Sequence, residues 1–432
     1  MSPVSAVRSR RAQVVIVGGG PAGAASAYFL ARAGVDVMIL DRARFPRDKP
    51  CSEYMSPQAS RILNDMGLLS RVESAGAAHL AGMRVRAPDG TTFHGRFADV
   101  DGYRGFRDRG LALRRTILDT LLLARAREAG ANVVEGARVT SIARDQGGRV
   151  IGVDLVDRGD SQSTVLAAIV IGADGLRSIV SRRLGLAATR RAQRRLALVT
   201  HFVGVDGIGD SGEMHVEHDG YVGLADVGGG VSNVAVVVPT SRARRAAGDP
   251  ASFMDDWIRR RPHIAPRFAR AMRVSPVLAT GPFASASRRA WAPGAALVGD
   301  AADFFDPFTG EGIYAALRGA ELLAPYVACA LSATSAIDAD AALKAYDRER
   351  VHEFSGKWAV ERLIGAAVSF PPLMNIAAHS LALRPAMAHT MVGVTGDFVP
   401  AREVLRPGYL LRLVAPWLLR ATTATPALTN TD

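Results

Sequence analysis

QVVIVGGGPAGAASAYFLARAGVDVMILD, residues 13–41, decides the fold of this 432-residue chain. It opens on VVIV, residues 14–17, a short apolar β-branched run of the kind a buried parallel strand requires. Gly18, Gly20 and Gly23 follow with the spacing GxGxxG. The first permits a tight turn, the second lets the backbone approach a phosphate, and the third lets the next helix pack on the strand. Pro21 stands where a first helical turn tolerates it, and residues 22–33, starting at Ala22, continue as a helix of small and apolar residues. The amide groups at the start of that helix can face an anion. A second strand, residues 35–40, ends at Asp41, whose carboxylate is placed to bond ribose hydroxyls. Strand, glycines, helix, strand and terminal acid in register predict an α/β, Rossmann-like dinucleotide fold.

Composition bounds the rest. With 48% hydrophobic and 22% charged residues, a chain of this length buries a large core and divides into two or more lobes. The formal net charge of +12 raises nucleic acid as a partner. The excess is almost all arginine, however, with lysine only at Lys49, Lys344 and Lys357, and it is scattered rather than striped. Nucleic acid is therefore not expected, although such a surface attracts NADPH or an anionic membrane. Cys51 and Cys329 are the two cysteines, so no disulfide framework and no CxxC metal site can be built, which fits a reducing cytoplasm. Ser9-Arg10-Arg11 looks like a twin-arginine export signal, but the run behind it is the nucleotide fold itself, and no export signal is expected.

Along the chain, residues 58–66 predict a helix, and residues 83–97 a hairpin turning at Asp89-Gly90. Residues 113–129 predict a helix ended by Gly130. Residues 133–171 read as strands divided by turns at Gln146-Gly147-Gly148 and Arg158-Gly159-Asp160, and residues 196–238 as strands again. From Ala301 onward the pattern is mainly helical. Residues 363–383 carry no formal charge over a membrane-like length, but Pro371 and Pro372 break the run, so two short buried helices are expected. Residues 405–420 mix apolar residues with arginines around Pro416 and fit either a peripheral membrane contact or a helix packed on the core. The tail from Ala421 is expected to be disordered.

Two further stretches repeat the glycine-rich theme: GADGLRS, residues 172–178, behind a buried strand at 168–171, and ALVGDAADFFDPFTGEGIYAALRGAELLA, residues 296–324. With GGGPAG and Asp41, they make the chain resemble the FAD-dependent superfamily that holds aromatic-ring hydroxylases (flavin monooxygenases) and geranylgeranyl reductases. The resemblance covers about 300 residues in three ordered motifs and implies roles for particular residues. Asp300 would accept hydrogen bonds from the ribityl chain or pyrophosphate side. Gly310, Glu311, Gly312 and Ile313 would open a helix toward the pyrimidine edge of the flavin, where reduced flavin is anionic. Asp174 and Gly175 would form the family's DG motif, Arg115 would reach the cofactor from the start of its helix, and a backbone group at Val139 would meet the adenine. Arg42, beside Asp41, joins the cofactor-binding set.

The resemblance implies a glutathione-reductase-like, three-layer FAD domain interleaved with a strand-rich α+β substrate domain. The FAD domain is assigned to residues 1–75, 110–195 and 279–335, the substrate domain to 76–109 and 196–278, and a helical region to 336–432. KPCSE, residues 49–53, and the wording GEGI are similar to geranylgeranyl reductases, yet Ser52 replaces their usual glycine. Their YxWxFP motif would fall on residues 221–226, where the tryptophan and proline are absent. The halogenases' WxWxIP is absent too.

The reading favoured on these motifs is an NAD(P)H-dependent monooxygenase acting through a flavin hydroperoxide on a hydrophobic aromatic, polyketide or isoprenoid molecule. Reduction of C=C bonds in an isoprenoid or quinone lipid is the alternative, with Cys51 near the flavin and Tyr221 in the substrate cavity. A non-enzymatic flavin-binding scaffold or redox sensor is the third. None of these readings needs a metal.

Overall fold

The computed structural model describes residues 10–415 apart from 158, 160, 190–194, 243–247, 284 and 305. The tail from Ala421, the segment beyond residue 415, Ser9, and Arg158 and Asp160 of the second expected turn lie outside the described residues. The architecture is mixed α/β, as the sequence predicts, with two eight-stranded sheets and a helical C-terminal region.

The first sheet is built around the opening strand Arg10–Val17, whose Val14, Val15 and Ile16 are fully buried. It pairs in parallel with Val37–Asp41 on one side and Gln162–Gly172 on the other. Asn132–Glu135 extends the sheet beyond Val37–Asp41, and Ala295–Leu297 extends it beyond Gln162–Gly172. Register places Val17, Gly172 and Leu297 side by side. The turns that follow these three strands therefore emerge together at one edge, where ligands of open α/β sheets bind.

Helix Pro21–Arg32 packs directly behind this edge, and only glycine permits the approach. A Cβ added at Gly23 would lie 1.8 Å from the Gly18 carbonyl oxygen, and one at Gly18, whose φ is +103°, would lie 2.5 Å from that of Ala173. Helix Gly312–Ser332 lies against both Pro21–Arg32 and the long helix Ala336–Ser369.

The second sheet runs Met272–Arg273, Arg195–Val203, Val231–Pro239, Gly220–Asp226, Ser211–Glu217, Gly82–Arg86 and Thr92–Arg96, with Leu278–Thr280 also on Arg195–Val203. The hairpin at Asp89-Gly90 thus completes the sheet made by residues 195–239. Alternation splits it into two apolar faces. Leu198, Val222, Val236 and Val238 pack under helix Pro250–Arg259 through Met254, Trp257 and Ile258. Ala197, Val199, Tyr221 and Val237 face the other way, into a core shared with the C-terminal helices.

Two C-terminal expectations are corrected. Residues 363–369 are not a short helix but the end of the 34-residue helix Ala336–Ser369, and the break falls at Phe370 because the residue before Pro371 is pushed out of the helical region. The next helix, Pro371–Leu383, leaves at 114°, and Phe370 and Leu383 are exposed rather than buried. Among the described residues no single helix is long and apolar enough to cross a membrane. Residues 402–414 form two short helices, Arg402–Leu405 and Pro407–Val414, which bury Val404 and Leu413 and expose Leu411 and Val414.

Gly23→Ala is expected to lower stability by about 3 kcal/mol, as overpacking against fixed backbone does. Gly209→Ala, whose Cβ would meet nothing within 4 Å, is expected to leave it unchanged. Thermal unfolding of both variants beside the parent chain checks this, and equal midpoints for all three would refute the close-approach argument.

Candidate active site

The turns behind the parallel strands and the apolar face of the second sheet enclose one cavity of about 220 Å³. Gly20, Pro21, Ala22, Arg115, Gly175 and Asp300 line it from the first sheet, with Gly310, Glu311, Gly312 and Ile313 beside them. Tyr221 and Asn233 line it from the second sheet, and Cys51 lines it beside Arg115. Two helix N-termini, those of Pro21–Arg32 and Gly312–Ser332, open on this space without a side-chain cap. Uncapped N-terminal amides are donors waiting for an acceptor, and their dipoles favour a negative one.

The charges at the first of these helices suit an anion. A Cβ built on Gly20 would meet only Arg47 Nη2 at 3.4 Å and Arg115 Nη2 at 3.9 Å, so two guanidinium groups flank the glycine turn. Arg115 opens helix Arg115–Glu128 and holds the buried Asp119 through paired bonds of 2.7 and 2.8 Å, while Arg47 adds a third contact at 3.0 Å. Burial by itself lowers the Arg115 pKa; Asp119, and Cys51 after it, outweigh that and raise it. Lys49 approaches Asp300 at 3.7 Å. These features fit a dinucleotide pyrophosphate.

Not every residue expected at the cofactor faces this cavity. Asp41 is buried and accepts hydrogen bonds of 2.7 Å from both Gly19 and Ala43 amides, bracing the glycine turn. Arg42 is exposed, and Val139, buried on strand Arg138–Arg144, lies away from the cavity lining. The Asp174 carboxylate accepts from the Ile179 amide at 2.6 Å, at the start of the short helix Ile179–Arg183. It serves as a strand-end turn carboxylate, and burial pushes its pKa up.

On the opposite wall stands a polar network that the motifs do not announce. Glu53 is buried at φ +62°, a rare conformation for a residue other than glycine. Its carboxylate accepts from the Arg115 amide at 2.8 Å and from Asn233 at 3.1 Å, and bonds His201 Nε2 at 2.7 Å. Asn233 also donates to the Cys51 carbonyl at 2.8 Å, and the Glu53 amide donates to Cys51 Sγ at 3.3 Å. The segment carrying Cys51 is thus fixed against both sheets. The available signal was a polar residue inside an otherwise apolar strand, as at His201 in LALVTHFV and Asn233 in VSNVAVVVP.

Tyr221 is fully buried and donates to Asp306 Oδ1 at 2.7 Å, while Arg195 donates to Oδ2 at 2.6 Å. Burial, then Asp306, pushes the Tyr221 pKa well above its usual value, so it stays a neutral donor. Asp306 in turn holds the loop that leads to Gly310. Glu311 is buried with Lys357 at 3.2 Å, and Lys357 also pairs with Asp397. A second, almost wholly apolar cavity of about 110 Å³ adjoins the first. Met83, Met214, Phe308 and Thr309 line both, and the far end reaches Leu410, Leu413 and Val414.

Comparisons with known proteins agree with this geometry. Residues 11–357 match the family of the FAD binding domain. The chain is 31% identical to digeranylgeranylglycerophospholipid reductase 2 of Methanopyrus kandleri over 310 residues, 70% of this chain and 74% of that one. It is 39% identical to a menaquinone reductase of Mycolicibacterium smegmatis over 178 residues, a match that spans only 40% of either chain. Its fold is that of a solved flavin-dependent brominase, with a TM-score of 0.79 at 19% identity over 93% of this chain and 97% of the other. The chain belongs to the FAD-dependent oxidoreductase superfamily of aromatic-ring hydroxylases and geranylgeranyl reductases.

Proposed function

We propose that this flavoenzyme reduces carbon–carbon double bonds in a lipophilic isoprenoid chain, such as the side chain of a quinone lipid. The observation that carries the proposal is the pair of adjoining cavities. The first begins at the glycine turns and uncapped helix, and the second continues from it, between Met83 and Met214 on the sheet and Phe308 and Thr309 on the loop, into a nearly all-apolar space. Such a path suits a long apolar chain, whose burial yields roughly 0.8 kcal/mol per methylene. Relatives named as reductases of a digeranylgeranyl lipid and of menaquinone support the same chemistry. Oxygen insertion, the first expectation from the motifs, is the competing outcome.

The residues divide the work as follows. Arg115 and Arg47 would hold the FAD pyrophosphate beside the Pro21–Arg32 helix, Asp300 would hold the ribityl side, and Asp41 braces the glycine turn between them. The N-terminus of helix Gly312–Ser332 faces the pyrimidine edge. When reduced, FAD would supply the hydride, with NAD(P)H as the donor that reduces it. Cys51 and Tyr221 shape the substrate wall and exclude water. The exposed Val414, at the far end of the second cavity, and Leu411 beside it rest on a bilayer from which the lipid enters.

Two measurements test this. The FAD-loaded protein, reduced by dithionite without oxygen, is expected to be reoxidised by a geranylgeranyl lipid that carries no quinone ring, giving a product two hydrogens heavier by mass spectrometry. Reoxidation that needs oxygen, with a product one oxygen heavier, would make the enzyme a hydroxylase instead. For the cofactor wall, Arg115→Met is expected to cost about 3–5 kcal/mol by stranding Asp119. Arg115→Met with Asp119→Leu is expected to regain most of that stability but not FAD affinity. Full FAD affinity in the double variant would remove Arg115 from the cofactor.

A further inference from the structure

One half-buried acid in the cavity has no role in the reading above. Glu361 lies on helix Ala336–Ser369, one turn beyond Trp358, and both line the cavity near Glu311. Its Oε2 is shut off from solvent and has no hydrogen-bond partner among the described residues.

The neighbouring charges are otherwise engaged. Lys357 is held by Glu311 and Asp397, Asp306 by Arg195 and Tyr221, and Asp303 by Arg350. Arg195 also donates to the Gly365 carbonyl on the same helix, at 3.2 Å. A carboxylate at Glu361 would therefore face the carboxylates of Glu311, Asp306 and Asp303, whose partners Lys357, Arg195 and Arg350 are already engaged with them. Burial, then Glu311, pushes the Glu361 pKa well above the usual carboxylate range, against the pull of Lys357. Protonation of the side chain is thus favoured, and its Oε2 finds no partner among the described residues, beside the space where the substrate lies.

Saturating a double bond takes one hydride and one proton, and the two arrive at adjacent carbons. Resting on the reductase reading above, we propose that Glu361 is the general acid that delivers the proton to the substrate. The O–H bond of Glu361 breaks as a C–H bond forms, while the hydride that FAD supplies completes the two-electron reduction at the neighbouring carbon. The carboxylate left behind regains a proton from water once the product departs. Lys357, bound between Glu311 and Asp397, stabilises that transient charge.

The test uses the FAD-loaded full chain and Glu361→Gln. Flavin content and reduction by dithionite are expected to be unchanged, while anaerobic reoxidation by a geranylgeranyl lipid without a quinone ring falls about 10²-fold or more, as removal of a general acid does. Glu361→Asp, which keeps an acid, is expected to recover part of the rate. In the parent enzyme the rate is expected to fall as pH rises through the raised Glu361 pKa, because the acid must be protonated to act; in Glu361→Gln this limb is expected to vanish. Independently of turnover, infrared spectra at neutral pH are expected to show a protonated carboxyl band that Glu361→Gln lacks. Reoxidation of Glu361→Gln within twofold of the parent, or an infrared band unchanged by the substitution, overturns the assignment of Glu361. A parent enzyme that no unsaturated lipid reoxidises overturns the reductase reading itself.

Discussion

Three parallel strands that end at the same level set the terms for this molecule. Because Val17, Gly172 and Leu297 are neighbours in register, the turns at Gly18, Ala173 and Gly299 must share one small volume. Backbone then lies against backbone, with no room for a Cβ at Gly18 or Gly23. Backbone packed this tightly cannot also fill the space in front of it with side chains. What remains there is main-chain amides, and amides at a helix start attract an anion. The glycine spacing, the cofactor class and the direction in which the site opens all follow from that shared register.

Much of this was legible because it is local. A β-branched run followed by GxGxxG, a hairpin at Asp89-Gly90 and a helix closed by Gly130 are each decided within a few residues. The polar network was less legible because it is assembled from distant parts. Glu53 meets His201 and Asn233 across 148 and 180 residues, and no periodicity relates their positions. Position in a motif also proved a poor guide to where a side chain points. Asp174 sits in the second motif yet turns its carboxylate to the Ile179 amide, and Arg42 follows Asp41 yet faces solvent. A motif fixes the backbone path; the local competition for amide donors then decides where a short carboxylate goes.

Electrostatics divides the cavity between two kinds of wall. A net charge of +12 suggests a surface dominated by repulsion, but many arginines are spent on named carboxylates. Arg115 and Arg47 share Asp119, Arg195 holds Asp306, and Arg350 holds Asp303. Isolated buried charges are costly, so each such pair is a fixed geometric element more than a source of stability. Concentrating them on the turns and the adjoining helices leaves the face made by Ala197, Val199 and Val237 apolar. A polar cofactor and an apolar chain can then occupy one enclosed space without either meeting the wrong wall.

The two walls are also tied to one another. The long helix Ala336–Ser369, which carries Lys357, Trp358 and Glu361, is anchored to the first sheet in its first half and, through Arg195 on the Gly365 carbonyl, to the second sheet near its end. Tyr346 donates to the Leu297 carbonyl at 3.0 Å, the Ala290 amide donates to Asp347 at 2.8 Å, and the Gly294 amide to Asp340 at 3.1 Å. Leu297 is the residue whose register with Gly172 places Gly299 and Asp300 at the sheet edge. Any displacement of that strand would move the glycine turns and the acid-bearing helix together. The carboxyl side is therefore placed by that short strand at one end of the helix and by Arg195 at the other, whereas the apolar positions of the second sheet can vary their side chains without disturbing it. A fold arranged in this way can keep one redox chemistry and change its substrate by altering only the second sheet and the C-terminal helices.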